Sequence, residues 1–137
     1  MSDGTGLIKR FYSEVLAGGN YDLIDELVAE GLVDHESLPG QPPGREGARF
    51  FVDMMRAAFP DLSVKSSEPA LAEGNLEAAR TVVTGTHQGE LMGVAATGRT
   101  VEIESIDIIR TEDGKVAEHW GITDSMSIMK QLGALPE

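Results

Sequence analysis

Cysteine is absent from the 137-residue chain. Thiol nucleophiles, thiolate metal sites and disulfides are all removed with it. Basic residues are few: 11 Lys and Arg stand against 23 Asp and Glu, for a formal charge of −12. A surface of that sign repels a phosphate backbone, and no Lys/Arg cluster relieves it, so nucleic acid is not an expected partner. No uninterrupted apolar run approaches the roughly 18 residues a spanning helix needs. The start, MSDGTG, carries neither a basic n-region nor an apolar h-region. The expectation is a cytoplasmic protein with no membrane partner.

Several chemical signatures are missing as well. His35, His87 and His119 lie on different segments without HxH or HExxH spacing, so no metal site is expected. There is no GxSxG elbow for a serine hydrolase and no Gly-rich phosphate loop after a strand.

What is present is a soluble globular composition, 41% hydrophobic and 25% charged. The length suits one domain, residues 1–137, whose core needs no covalent staple. Leu7, Ile8, Phe11, Tyr12, Val15 and Leu16 keep a helical rhythm that Gly18-Gly19 ends. Leu23, Ile24, Leu27 and Val28 repeat it up to Gly31, and a short segment, Leu32 to Glu36, follows. After the Pro/Gly-rich loop 39–44, a third helix carries Ala48, Phe51, Val52, Met55 and Phe59 on one face and stops at Pro60. The period then changes. Segments 62–71, 78–87, 99–111 and 115–122 read as strands, with the stretch Gly89 to Gly98 as a lip, and a last helix runs from Asp124, its cap, to Gly133. Helices first and strands second predict an α+β fold, with helices on one face of a curved, mostly antiparallel sheet. A sheet curled around a helix leaves a cavity, the natural place for chemistry.

The last hairpin decides which side chains meet. A three-residue loop, Glu112-Asp113-Gly114, sets 111 opposite 115 and therefore Asp107 opposite His119, with Ala117 and Gly121 on the same face. Ile106, Ile108, Val116, Glu118, Trp120 and Ile122 then take the other face. A two-residue Asp113-Gly114 turn instead sets Asp107 opposite Trp120. A carboxylate beside an imidazole in an apolar cavity can work as a base poised near neutral pH, whereas an exposed pair is a mere surface contact.

Taken together, Asp34-His35, the segment Pro39 to Gly47, Phe59-Pro60-Asp61-Leu62, the segment Gly85 to Gly93, Thr97-Gly98-Arg99 and Asp113-Gly114-Lys115-Val116 through Glu118-His119-Trp120 to Asp124 resemble the SnoaL-like polyketide cyclases of the nuclear transport factor two-like superfamily. The resemblance spans nearly the whole chain. It implies a cone-shaped barrel with an enclosed apolar pocket, a homo-oligomer, no metal or organic cofactor, and intramolecular aldol chemistry on a polyketide ester. His87 and His119 match histidines of the family. The position of the family's acid/base aspartate is Gly121 here, and that of its pocket histidine is Asp107.

The catalytic candidates are therefore Asp107 as base, His119 as its orienting or proton-returning partner, and His35 or His87 as oxyanion donors. They would act on a hydrophobic, carbonyl-bearing small molecule by cyclisation, isomerisation or addition–elimination. Two other functions remain open: a non-catalytic pocket protein for an apolar ligand, and an epoxide hydrolase, for which Arg80 is the sole strand-centre arginine and lacks an evident carboxylate pair. The apolar outer face, with Trp120, Ile106 and Ile108, predicts a homodimer through the sheets.

Overall fold

A computed structural model describes residues 6–135, so both ends of the expected 1–137 domain lie outside the described residues. The chain opens with α1 (Gly6–Arg10), which runs on as a π-helical stretch, Phe11–Ala17, and then α2 (Asp22–Leu27). The remaining elements are β1 (Val28–Asp34), α3 (Arg45–Ala58), β2 (Ser63–Ser66), β3 (Ala70–Glu73), β4 (Leu76–Thr86), β5 (Thr100–Glu112), β6 (Lys115–Thr123) and α4 (Ser125–Gln131). One six-stranded sheet runs β1-β6-β5-β4-β2, with β3 also paired to β4. All its pairings are antiparallel except β1 with β6. The α+β expectation holds.

Two expected elements take different forms. The helical rhythm read through Val28 ends at Leu27, and Val28–Asp34 is a strand on the sheet's edge. Pairing with β6 overrides the local pattern there, and Val28 is buried opposite Val116. The strand expected over 62–71 is two strands, interrupted before Pro69, whose ring nitrogen has no hydrogen to offer a ladder.

The core lies between the helices and the inward face of the sheet. Leu16, Ile24, Val52 and Phe59 are fully buried there, each worth about 1.5–3 kcal/mol of apolar transfer. Helix α3 ends hard against β4: a Cβ at Gly85 would stand 2.8 Å from the Cβ of Phe59, so only glycine permits that approach. Asp124 caps α4 by accepting from the Ser127 amide at 3.0 Å, as expected. The stretch 89–98 folds back on itself through a Leu91–Val94 bridge and buries Leu91. Among the described residues, no helix is long and apolar enough to cross a membrane.

Candidate active site

Strand β5 alternates cleanly. Val101, Ile103, Ser105, Asp107 and Ile109 are buried, while Ile106 and Ile108 are exposed. The inward face therefore carries a polar pair, Ser105 and Asp107, in the middle of an apolar row. What stands beside that pair depends on the β5–β6 register, which matches neither expected form. Glu112 pairs with Lys115 across a two-residue Asp113-Gly114 turn, both residues at positive φ. The register then slips by one between Arg110 and Thr111, so that Ile109 faces His119 and Asp107 faces Gly121. A two-residue turn without the slip would put Asp107 and His119 on opposite faces. The bulge restores the parity, and the two side chains meet diagonally. The expected contact exists, although the expected register does not. The two-residue turn sets Val116 opposite Thr111, on the inward side, so it lines the cavity instead of the outer face where it was expected.

The cavity has a volume of about 220 Å³. Its wall is mostly apolar, with Phe11, Leu32, Phe51, Met54, Leu91 and Ile128 among the contributors. The ionisable groups among its described lining residues are Tyr12, Asp34, Glu36, Asp107 and His119, and no Lys or Arg is present. They gather at one end. His119 Nε2 lies 2.7 Å from Asp107 Oδ1, and its Nδ1 lies 2.8 Å from Asp34 Oδ1. Asp107 Oδ2 accepts from the Tyr12 hydroxyl at 2.7 Å and from Ser105 Oγ at 3.2 Å. Asp34 also accepts from the Glu36 amide through Oδ1 and from the Gln41 side-chain amide through Oδ2. Glu36 Oε2 accepts from Thr123 Oγ1 at 3.1 Å, and Glu36 Oε1 stands 4.0 Å from His119 Nε2.

The electrostatics follow from these contacts. Carboxylates only accept, so both ring nitrogens of His119 must donate, and the ring is an imidazolium. Burial pulls its pKa down, but the hydrogen bonds and charges of Asp107 and Asp34 outweigh that and raise it to about 10. A base poised near neutrality was the expectation for this pair. The second carboxylate, Asp34, takes His119 out of that range. Burial pushes Asp34 up, yet the His119 ring and the Glu36 amide bring it below its ordinary value. Glu36 is raised, chiefly by burial and further by Asp107 and Asp34, against the lowering effects of Thr123 and His119. Burial, then the charge of Asp107, raises Tyr12 well above its usual value. Glu36, Asp107 and His119 bring oxygen and nitrogen atoms within 4.8 Å of one another, a spacing one cation could bridge. The His119 ring, however, is committed at both nitrogens to carboxylates.

The other two candidate histidines stand elsewhere. His35 does not line the cavity: its Nε2 meets Glu118 Oε2 at 2.7 Å, and its ring stacks on Trp120 at 5.2 Å between centroids. His87 is fully buried behind the wall, packed on Phe59, with Nδ1 accepting from the Thr97 amide at 3.2 Å. The oxyanion role expected of His35 or His87 therefore has no geometry behind it. Arg80, the arginine considered for epoxide chemistry, is ion-paired with Glu104 at the exposed surface, outside the cavity.

Residues the sequence reading did not single out complete the site: Tyr12, Asp34, Glu36 and Thr123. A signal for two of them was present. Leu32, Asp34 and Glu36 alternate with Val33 and His35, and Val33 is 50% exposed. Reading 28–36 as a strand would have turned Asp34 and Glu36 inward and His35 outward.

A polar cluster at one end of an apolar cavity, under a curved sheet and helices, is the architecture of a small-molecule enzyme or binding protein. The chain belongs to the SnoaL-like polyketide cyclase family, whose model matches residues 6–132. It is 36% identical to the aklanonic acid methyl ester cyclase AcmA of Streptomyces galilaeus, over 97% of this chain and 92% of that protein. Among solved structures it is similar to TsrD from Streptomyces laurentii, with a TM-score of 0.85 and 29% identity over 94% of this chain and 93% of that one. It also resembles IdmH from Streptomyces antibioticus, with a TM-score of 0.81 and 34% identity over 96% and 99%.

Proposed function

We propose that the protein is a cyclase that closes a ring in a hydrophobic polyketide ester by cofactor-free acid/base chemistry. The observation that carries this reading is the Asp34–His119–Asp107 array at the polar end of an otherwise apolar cavity. Ring closure of this kind begins with loss of a proton next to a carbonyl, which needs a carboxylate base and a fixed positive charge near the developing enolate. Both stand at that end, with Asp107 and His119 at its centre. The absence of Lys or Arg from the described lining favours an ester over a free acid, since a carboxylate ligand would find three acidic side chains and one imidazolium already paired. AcmA, by its name, acts on aklanonic acid methyl ester, and that compound is the first substrate to test.

Purified protein incubated with aklanonic acid methyl ester should convert it to a cyclised isomer of unchanged mass. Asp107→Ala should slow conversion by about 10²-fold or more, the usual cost of losing an acid/base group or its partner. Tight binding without conversion would identify a non-catalytic pocket protein instead. We also propose that the protein is a homodimer joined through the outer sheet face around Trp120, Ile106 and Ile108.

A further inference from the structure

Three carboxylates converge on the polar end of the cavity, and they are not equally free to take a proton. Asp107 has its Oδ1 on the His119 ring and its Oδ2 on two hydroxyls, those of Tyr12 and Ser105. Asp34 has its Oδ1 on the same ring and on the Glu36 amide, and its Oδ2 on Gln41. Protonating either one would weaken a charge-assisted hydrogen bond to a partly buried imidazolium. Glu36 differs. Its Oε2 accepts from Thr123, and among the described residues its Oε1 accepts no hydrogen bond, although it lines the cavity.

The space around that oxygen is made by a glycine. A Cβ at Gly121 would stand 2.6 Å from Glu36 Oε1, 2.8 Å from Asp107 Oδ1 and 2.9 Å from His119 Nε2. Position 121 therefore opens onto the point where the three groups meet, and a bare backbone there lets the longer Glu36 side chain reach in from the turn after β1. We propose that Glu36 is the group that takes the substrate's proton and gives it back, while Asp107 and Asp34 hold His119 as a fixed cation. This rests on the cyclase reading above.

In the step, Glu36 Oε1 removes a proton from the carbon beside a carbonyl. The C–H bond breaks, and its electron pair becomes the enolate. The enolate carbon then bonds to a second carbonyl carbon of the same molecule. The alkoxide so formed takes the proton back from Glu36, so atoms and charge balance without a further reactant. The groups that face Glu36 are Asp34 on β1, Asp107 on β5, His119 on β6 and Tyr12 on the π-helical stretch. With burial, they leave its proton affinity above that of an ordinary carboxylate, closer to what a base working near neutral pH needs.

The test compares kcat and KM on aklanonic acid methyl ester for wild type, Glu36→Gln, Glu36→Asp and Asp107→Ala, with melting curves for each. Glu36→Gln is nearly isosteric and should lower kcat by about 10²-fold or more with KM within about threefold. Glu36→Asp keeps a carboxylate and should exceed Glu36→Gln by about tenfold. The acid limb of the wild-type kcat/KM profile should lie above the ordinary carboxylate range and vanish in Glu36→Gln. A Glu36→Gln protein within about threefold of wild type, beside an inactive Asp107→Ala, would overturn the assignment and leave the cyclase reading standing. A wild type that closes no ring would overturn both.

Discussion

His119 carries its charge because of where its two nitrogens point, so each of its carboxylates is separately testable. In an NMR titration the ring should show a midpoint of about 10. Asp34→Asn should bring that midpoint down toward the ordinary histidine range, because an amide oxygen accepts without a charge to hold the proton. The same pair governs stability. The folded value, about 10, lies above the unfolded 6.5, so the stabilisation is complete below about pH 6.5 and is lost as pH rises through about 10. Wild-type melting temperature should fall across that window, and Asp34→Asn should show a flatter dependence. An equal slope in the two proteins would contradict the assignment of the proton to this array. Glu36 is raised as well, chiefly by burial, but for a carboxyl group the upward shift favours the neutral, protonated form.

At the scale of elements, the site depends on a one-residue irregularity. The Asp113-Gly114 turn and the slip between Arg110 and Thr111 each shift the β5–β6 pairing by one residue from the expected form, and together they shift it by two. A shift of two preserves which face each side chain occupies, and for that reason Asp107 and His119 still meet. Gly121 depends on the same register, because its bare backbone leaves room for three side-chain ends. Gly121→Ala should leave the fold intact, since the three atoms nearest its Cβ are side-chain ends that can shift. It should nonetheless displace Glu36 and lower turnover by at least about tenfold, in line with the sensitivity of catalysis to misplacement by about 1 Å. Unchanged turnover in Gly121→Ala would remove the packing argument for Glu36.

For the whole molecule, the inward face of the sheet is covered by helices, and the outward face is not. Ile106, Ile108 and Ile122 are exposed on it, at 57%, 41% and 79%, beside the stacked His35–Trp120 pair. A two-fold contact buries such a patch against its own copy and needs no second complementary surface. The charge of −12 opposes association, but screening at physiological salt limits the repulsion to about 8 Å. Light scattering at micromolar concentration should report a dimer, and Trp120→Glu should give a monomer. A wild-type monomer would refute this assembly, as would a dimer that survives Trp120→Glu. Val116 takes no part in that face, because the two-residue turn pairs it with Thr111 and sets it in the cavity wall.

Local rules were enough for much of this protein. Hydrophobic period placed α3 and the long strands, glycine and proline marked their ends, and Asp124 announced its own cap, because each of these signals acts within a few residues of the position it governs. The family resemblance was legible for the same reason: it rests on short segments in a set order. Which side chains share the cavity was decided only in three dimensions. Asp34 ends, and Glu36 lies just beyond, a strand that forms because β6 is there to pair with it. Tyr12 reaches Asp107 across 95 residues of chain. His35 and His87, the polar residues most conspicuous in the sequence, are not among the residues that line the cavity. Strand alternation assigns a side chain to one of two faces, but bulge position and long-range pairing determine which face is the inside, and both are properties of the assembled sheet.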